Sequence, residues 1–153
     1  LDFQGVIDTL GQNWYLLIRM HPNVVVPEGR FLFDSHILNA SPYPDVQELM
    51  IASDILITDY SSTIYEFAML KKPSYIYASD LDSFQKIRPL NDFYFEMPYP
   101  INQTNEALLS QLTNYTPQSG VAAAEAFMTK FGGVDKGDAS KQVVERICSE
   151  INK

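Results

Sequence analysis

The sequence predicts an α/β fold built on a doubly wound parallel sheet. Two observations carry the prediction. Nearly unbroken apolar runs recur at Trp14–Met20, Ile55–Thr58 and Ser74–Tyr77, the pattern of strands buried on both faces. Between and after them lie stretches with helical spacing of apolar residues, so strand and helix alternate along the chain.

Taken in order, residues 2–10 read as a helix, with Phe3, Val6, Ile7 and Leu10 on one face and Gly11 as its stop. The run Trp14–Met20 is a strand ended by Pro22. Pro27, Glu28 and Gly29 mark a loop, and Phe31–Phe33 and Ile37-Leu38 are short strand candidates. Ser41-Pro42-Tyr43-Pro44 is a turn, after which Asp45 caps a helix over Val46, Leu49, Met50 and Ile51. Strand Ile55–Thr58 leads through Asp59-Tyr60-Ser61-Ser62 into a helix from Thr63 to Leu70. Pro73 precedes strand Ser74–Tyr77. Residues 80–88 read as a loop with some helix, and Asp92–Phe95 as a short extended piece. The remainder is helical over 104–114, 118–130 and 139–151, broken at Pro117 and Gly132-Gly133. The start Leu1-Asp2-Phe3-Gln4-Gly5 has no Met, so the expectation is a piece of a longer chain whose sheet lacks its first strand.

A length of 153 residues fits one domain, and 46% hydrophobic residues suffice for a full core. The net charge of −8 argues against a nucleic-acid partner, which would call for a basic face. A small phosphorylated ligand stays compatible, since Arg19, Arg30, Arg88, Lys71 and Lys72 supply local positive charge. The one cysteine, Cys148, excludes an internal disulfide and reads as a packing residue of its helix. No apolar run nears the roughly 18 residues that span a bilayer, and no signal peptide is visible.

The most informative stretch is Thr58-Asp59-Tyr60-Ser61-Ser62-Thr63. A strand ends there, and a helix opens with free N–H groups and up to three hydroxyls pointing outward. With the helix dipole these groups form a cradle for a phosphate or diphosphate. The plainer alternative is that Thr63 caps the helix and Glu66 closes a capping box; Glu66 could instead accept from a ribose hydroxyl. Asp59 would repel a phosphate unless its carboxylate is occupied, and an Asx-type turn would occupy it.

The second polar motif at a strand end is Arg19-Met20-His21-Pro22. Alternation along a strand puts Arg19 and His21 on one face, a pairing suited to phosphate. Ligands of open parallel sheets bind beyond the carboxyl ends of strands, where both motifs lie. Arg88, before Pro89, is either a solvated charge or a group that swings over a diphosphate. Phe93, Tyr94, Phe95 and Tyr99 read as core or lid. There is no His-x-x-x-His, paired cysteine or calcium-loop spacing, so no metal is expected. The P-loop, the Gly-x-Gly-x-x-Gly fingerprint and the Gly-x-Ser-x-Gly elbow are also absent.

These residues resemble a known family. Leu16 to Pro22 is similar to its Arg-x-His-Pro motif. Tyr43-Pro44-Asp45, Glu48-Leu49-Met50 and the run Ala52 to Ser62 are similar to its strongest signature. Lys72-Pro73, Tyr77, Asp80-Leu81, Arg88 and Phe93-Tyr94-Phe95 follow in the family's order. The family is the CDP-glycerol glycerophosphotransferases of teichoic acid synthesis, and the likeness spans nearly the whole chain.

The resemblance implies the Rossmann-like, nucleotide-binding C-terminal half of a GT-B enzyme, as a single domain over 1–153. It implies transfer of glycerol phosphate from CDP-glycerol to a hydroxyl of a growing teichoic acid or related polymer, with release of CMP and no cofactor. Carried over by residue, His21 stabilises the leaving group. Arg19, Ser61, Ser62, Asp59, Thr63 and Arg88 surround the donor phosphates. The family usually has Arg-Gly where this chain has Arg88-Pro89-Leu90-Asn91-Asp92. The general base, the polymer acceptor site and the membrane-docking helices belong to the absent half, which would place the full protein at the cytoplasmic face of a bacterial membrane. On that basis this chain alone is expected to bind the donor and turn nothing over. A CDP-ribitol or nucleotide-sugar transferase of the GT-B type is one alternative. A non-catalytic α/β binding module is another; a receiver-type module would need clustered aspartates where Arg19-Met20-His21-Pro22 stands.

Overall fold

The computed structural model describes residues 1–21, 23–24, 33–133 and 136–151. Pro22, the Pro27-Glu28-Gly29 loop, Arg30 and the first two residues of the Phe31–Phe33 strand candidate lie outside the described residues. The elements follow as α1 (Phe3–Leu10), β1 (Leu16–Ile18), β2 (Ile37–Asn39), α2 (Val46–Ala52), β3 (Leu56–Thr58), α3 (Thr63–Met69), β4 (Ser74–Tyr77), α4 (Leu81–Ile87), α5 (Asp92–Phe95), β5 (Ile101–Asn102), α6 (Asn105–Thr113), α7 (Val121–Lys130) and α8 (Ala139–Ile151).

All strand pairs are parallel. β1 pairs with β2, and β3, β4 and β5 form a three-stranded sheet in that order. The expected parallel α/β class is thus the fold observed. Successive side chains of a strand point to opposite faces, and both faces of the larger sheet are covered. Leu56 and Ile76 pack on one side, with Ile64 and Ala68 of α3 and Ala124 and Phe127 of α7. Ile55, Ile57, Tyr75 and Tyr77 pack on the other, against Val6 of α1 and Leu108 and Leu112 of α6. Leu16 of β1 joins this second cluster, so the two sheets share a helical layer.

Local chemistry explains the helix starts. Asp2 accepts from the Gly5 N–H at 3.0 Å, and Gly11, at φ 102°, ends α1. Asp45 accepts from the N–H groups of Gln47 and Glu48 to start α2. Lys72 Nζ donates to the carbonyls of Ile51 and Ser53, so a cation satisfies the end of α2. Gly120 opens α7 hard against the turn before β4. A Cβ there would lie 2.2 Å from the Cα of Pro73, which leaves room for glycine alone.

Several expectations are corrected. The first strand is not buried on both faces: Tyr15 and Leu17 are exposed, because β1 has one partner strand and packing chiefly on its Ile18 side. Residues 81–87 are a complete helix rather than mostly loop. Asp92–Phe95 is helical, not extended, because Asn91 accepts from the Tyr94 N–H and caps it. A fifth strand, β5, joins the sheet beside β4. Cys148 is exposed on α8, a helix with no buried residue, so it does not pack. Among the described residues no helix is long and apolar enough to cross a membrane.

Candidate functional site

The turn from β3 into α3 is built by its own side chains. The Asp59 carboxylate accepts from the Tyr60 N–H at 2.6 Å. It therefore engages the turn, one residue earlier than an Asx-turn would. Ser61 Oγ accepts from both the Thr63 N–H (3.3 Å) and the Thr63 hydroxyl (3.0 Å). The capping box expected from Thr63 and Glu66 does not form: Thr63 is already the first helical residue, Ser61 takes the acceptor role, and Glu66 stays exposed. Ser62 flanks the helix with helical backbone angles, and its side chain makes no capping bond. Its hydroxyl is left exposed at the start of α3.

This turn forms one wall of a cleft of about 320 Å³. Asp59, Tyr60, Ser61 and Ser62 line it together with Tyr65, Phe84, Arg88, Asn91, Tyr94 and Met97. The opposite wall is the segment from α4 to α5. The Arg88 N–H donates to the Phe84 carbonyl at 2.8 Å, ending α4, and Arg88 lines the cleft together with the serine turn. Arg88 is exposed, and no ion pair engages it among the described residues. The substituted sequence after Arg88 folds as the Asn91-capped α5, which sets Asn91 and Tyr94 into the same cleft.

Three further expected site residues sit differently. Thr63 turns its hydroxyl onto Ser61 rather than into the cleft. Arg19 and His21 are not among the described residues lining the cleft. β1 stops at Ile18, so strand alternation no longer governs them. Arg19 donates from its guanidinium to the carbonyls of Ala40 and Tyr43 and so holds the turn after β2. His21 is exposed, and its Nδ1 accepts from the Asn23 N–H at 3.2 Å. The cation that the fold brings to the serine turn is Arg88. Lys71 instead pairs with Glu125 at 3.0 Å. Among the described residues no cluster of three His, Cys, Asp or Glu side chains could hold a metal ion.

Of the aromatic residues of the cleft, the sequence reads Tyr94 as core or lid, whereas it gives Tyr60 and Phe84 no role. Tyr60 stacks on Phe84 with ring centroids 3.7 Å apart and planes 10° from parallel, and its hydroxyl donates to Asp80 at 2.7 Å. Tyr94 donates to the Asp59 carbonyl at 3.3 Å. The available signal was position: Tyr60 lies inside the motif, and Asp80 stands where a helix cap is expected. Asp80 does not cap α4, so a contribution of about 1 kcal/mol is forgone to meet Tyr60.

Burial, then the charges of Asp59 and Asp80, push the Tyr94 phenol up to about 12. Burial, then the bond to Asp80, raises Tyr60 as well. Both side chains are therefore neutral donors at any ordinary pH. In the unfolded chain a tyrosine ionises near 10.0, while the folded chain retains these protons. Stability should therefore hold up to about pH 10 and fall as pH rises toward 12. Chemical denaturation at stepped alkaline pH, followed alongside phenolate absorbance, checks this; a midpoint that stays constant through that window would contradict it.

Residues 1–149 match the family model described as CDP-Glycerol:Poly(glycerophosphate) glycerophosphotransferase. The chain is 34% identical over 158 residues to the teichoic acid glycerol-phosphate transferase of Staphylococcus aureus, covering 99% of this chain and 39% of that protein. It is 31% identical over 159 residues to the teichoic acid poly(glycerol phosphate) polymerase of Staphylococcus epidermidis, covering 100% of this chain and 22% of the relative. The ribitol-phosphate polymerase TarK of Staphylococcus aureus is 34% identical over 142 residues, 87% of this chain and 26% of its own. Among solved structures, the wall teichoic acid polymerase TagF, in a His→Asn variant soaked with CDPG, superimposes with a TM-score of 0.74 at 31% identity, over 99% of this chain and 39% of TagF. The chain thus spans less than two fifths of the length of these relatives. A match over 149 residues, relatives above 30% identity along the whole chain and the fold of TagF converge on one assignment: the chain belongs to the CDP-glycerol:poly(glycerophosphate) glycerophosphotransferase family.

Proposed function

We propose that this chain is the donor-binding part of a larger two-domain transferase. The enzyme would move glycerol phosphate from CDP-glycerol to a hydroxyl at the end of a growing teichoic-acid-type polymer, releasing CMP. The observation that carries the reading is the cleft in which Ser61, Ser62 and Arg88 meet. Its chemistry suits a nucleoside diphosphate. Hydroxyls and a guanidinium supply donors for the phosphates, and Tyr65, Phe84 and Met97 supply apolar wall for the remainder. The likeness to TagF supports the same reading, since TagF structures were soaked with CDPG.

In the reaction, the acceptor oxygen bonds to the phosphorus that carries glycerol. The bond from that phosphorus to the bridging oxygen breaks, and CMP leaves with the electron pair. Negative charge grows on the leaving phosphate, where Arg88 and the serine hydroxyls stabilise it better than water does, because they are oriented beforehand. The family resemblance would bring His21 to the same leaving group in the assembled enzyme, while Arg19 holds the turn after β2. The base that takes the acceptor proton belongs to the other domain, as do the acceptor site and the contacts with the cytoplasmic face of the membrane. The chain alone therefore binds donor without turnover.

Transfer of ribitol phosphate is the second reading, favoured by the 34% identity to TarK. NMR titration of the chain with CDP-glycerol and with CDP-ribitol tests both. Shifts at Ser61, Ser62 and Arg88 are expected with the true donor. An unchanged spectrum at millimolar concentrations of both would overturn the donor-binding assignment, and CMP release by the chain alone would overturn the two-domain division of labour.

A further inference from the structure

Tyr60 grips α4 at two points one turn apart. Its hydroxyl donates to Asp80, the residue immediately before the helix, and its ring lies flat on Phe84. The Phe84 carbonyl in turn accepts the N–H of Arg88, at the far end of the same helix. Asp80 gives its carboxylate to Tyr60 instead of to the free N–H groups of α4. Tyr94 closes the assembly from α5, donating to the Asp59 carbonyl next to Tyr60. The two walls of the cleft are therefore joined by Tyr60 and Tyr94, both of which line it, and Tyr60 sits directly before the two serines.

We propose that Tyr60 is a positioning residue: by clamping α4 to the serine turn it holds Arg88 at the distance from Ser61 and Ser62 that a diphosphate requires. The role rests on reading the cleft as a diphosphate site, but the clamp itself has a readout without ligand. A hydroxyl bond and a stacked ring constrain α4 in both translation and rotation, and Arg88 follows because its backbone is bonded to the residue under the ring. Without the clamp the guanidinium would still be present but spread over more positions. An ordered donor is worth more to a bound anion than a mobile one.

The test uses the 153-residue chain with CDP as probe. Tyr60→Phe keeps the stacked ring, and hence the fold, while removing the bond to Asp80. It should weaken CDP binding by about threefold to tenfold. Asp80→Ala should do the same, and Asp80→Asn, which retains a carbonyl acceptor, should bind like the parent. Tyr60→Phe added to Arg88→Ala should cost nothing beyond Arg88→Ala. In the ligand-free chain the heteronuclear NOE at Arg88 Nε–H should drop in Tyr60→Phe and in Asp80→Ala. An equal loss from Tyr60→Phe with and without Arg88 would show action by another route and overturn the proposal. So would an unchanged Arg88 NOE in both single variants. If the parent chain fails to bind CDP, the donor-binding reading falls, and the Arg88 NOE alone decides whether the clamp exists.

Discussion

Replacing Arg88 with alanine should lower turnover of the full-length enzyme by roughly 10²–10³-fold, the loss typical when one oriented donor to developing charge is removed. The expectation rests on isolation as much as on placement. The chain carries a net charge of −8, so an anion is repelled at long range and must be won locally. Of the positive groups weighed from the sequence, Lys71 is paired with Glu125, Lys72 is spent on the end of α2, and Arg19 donates to the carbonyls of Ala40 and Tyr43. Among the described ones, Arg88 alone lines the cleft with the serines. Arg88→Lys should recover only part of the rate, since an ammonium lacks the planar fork that meets two phosphate oxygens at once. Steady-state kinetics on both variants decide the matter. A turnover within twofold of the parent for Arg88→Ala would remove the arginine from the reaction.

The largest effect on stability is expected at Phe127. Its side chain is 1% exposed and is enclosed by the rings of Tyr65, Tyr99 and Phe131, with centroids 4.9, 5.5 and 4.7 Å away. These rings come from α3, from the segment before β5 and from the end of α7, so the site joins three parts of the chain. Truncation to alanine removes the buried area and leaves a cavity that rigid aromatic neighbours fill poorly, a loss of about 3–5 kcal/mol. Against a total of roughly 5–15 kcal/mol for a domain, that is a large share. Urea denaturation should show a markedly lower midpoint with an unchanged slope. A midpoint shift worth under about 1 kcal/mol would mean that this core repacks, contrary to the crowding seen around the ring.

How much was legible in the sequence depended on the range of the forces involved. Strand Ser74–Tyr77 was placed to the residue, and helices α1 and α2 with the stop Gly11 and the cap Asp45, because apolar period, caps and breakers are local signals. The helix over Asp92–Phe95 was missed because three aromatics in a row favour a strand by propensity, and one capping bond from Asn91 outweighed them. Two-residue β5 has too few positions to show a period, and its assignment depends on β4 lying alongside. At the site, the motif led to Ser61 and Ser62. It could not say which serine would be spent inside the turn, since Thr63 competes for Ser61 at both N–H and hydroxyl. Arg88 was suspected from its place in the family's order. Its approach to the serines depends on α4 running as an unbroken helix and on Tyr60 meeting it from 20 residues upstream, contacts that no local pattern encodes.

One consequence lies far from the cleft. Helix α8 buries nothing, and Val143, Val144, Ile147 and Ile151 all face outward. The ion pairs Lys141–Glu145 and Arg146–Glu150 brace it one turn apart. Thirteen residues with no buried side chain among them form a helix that is marginal in water. Heating should therefore unravel this segment over a broad range before the cooperative transition of the core, and the melting of the 153-residue chain would depart from a single two-state curve.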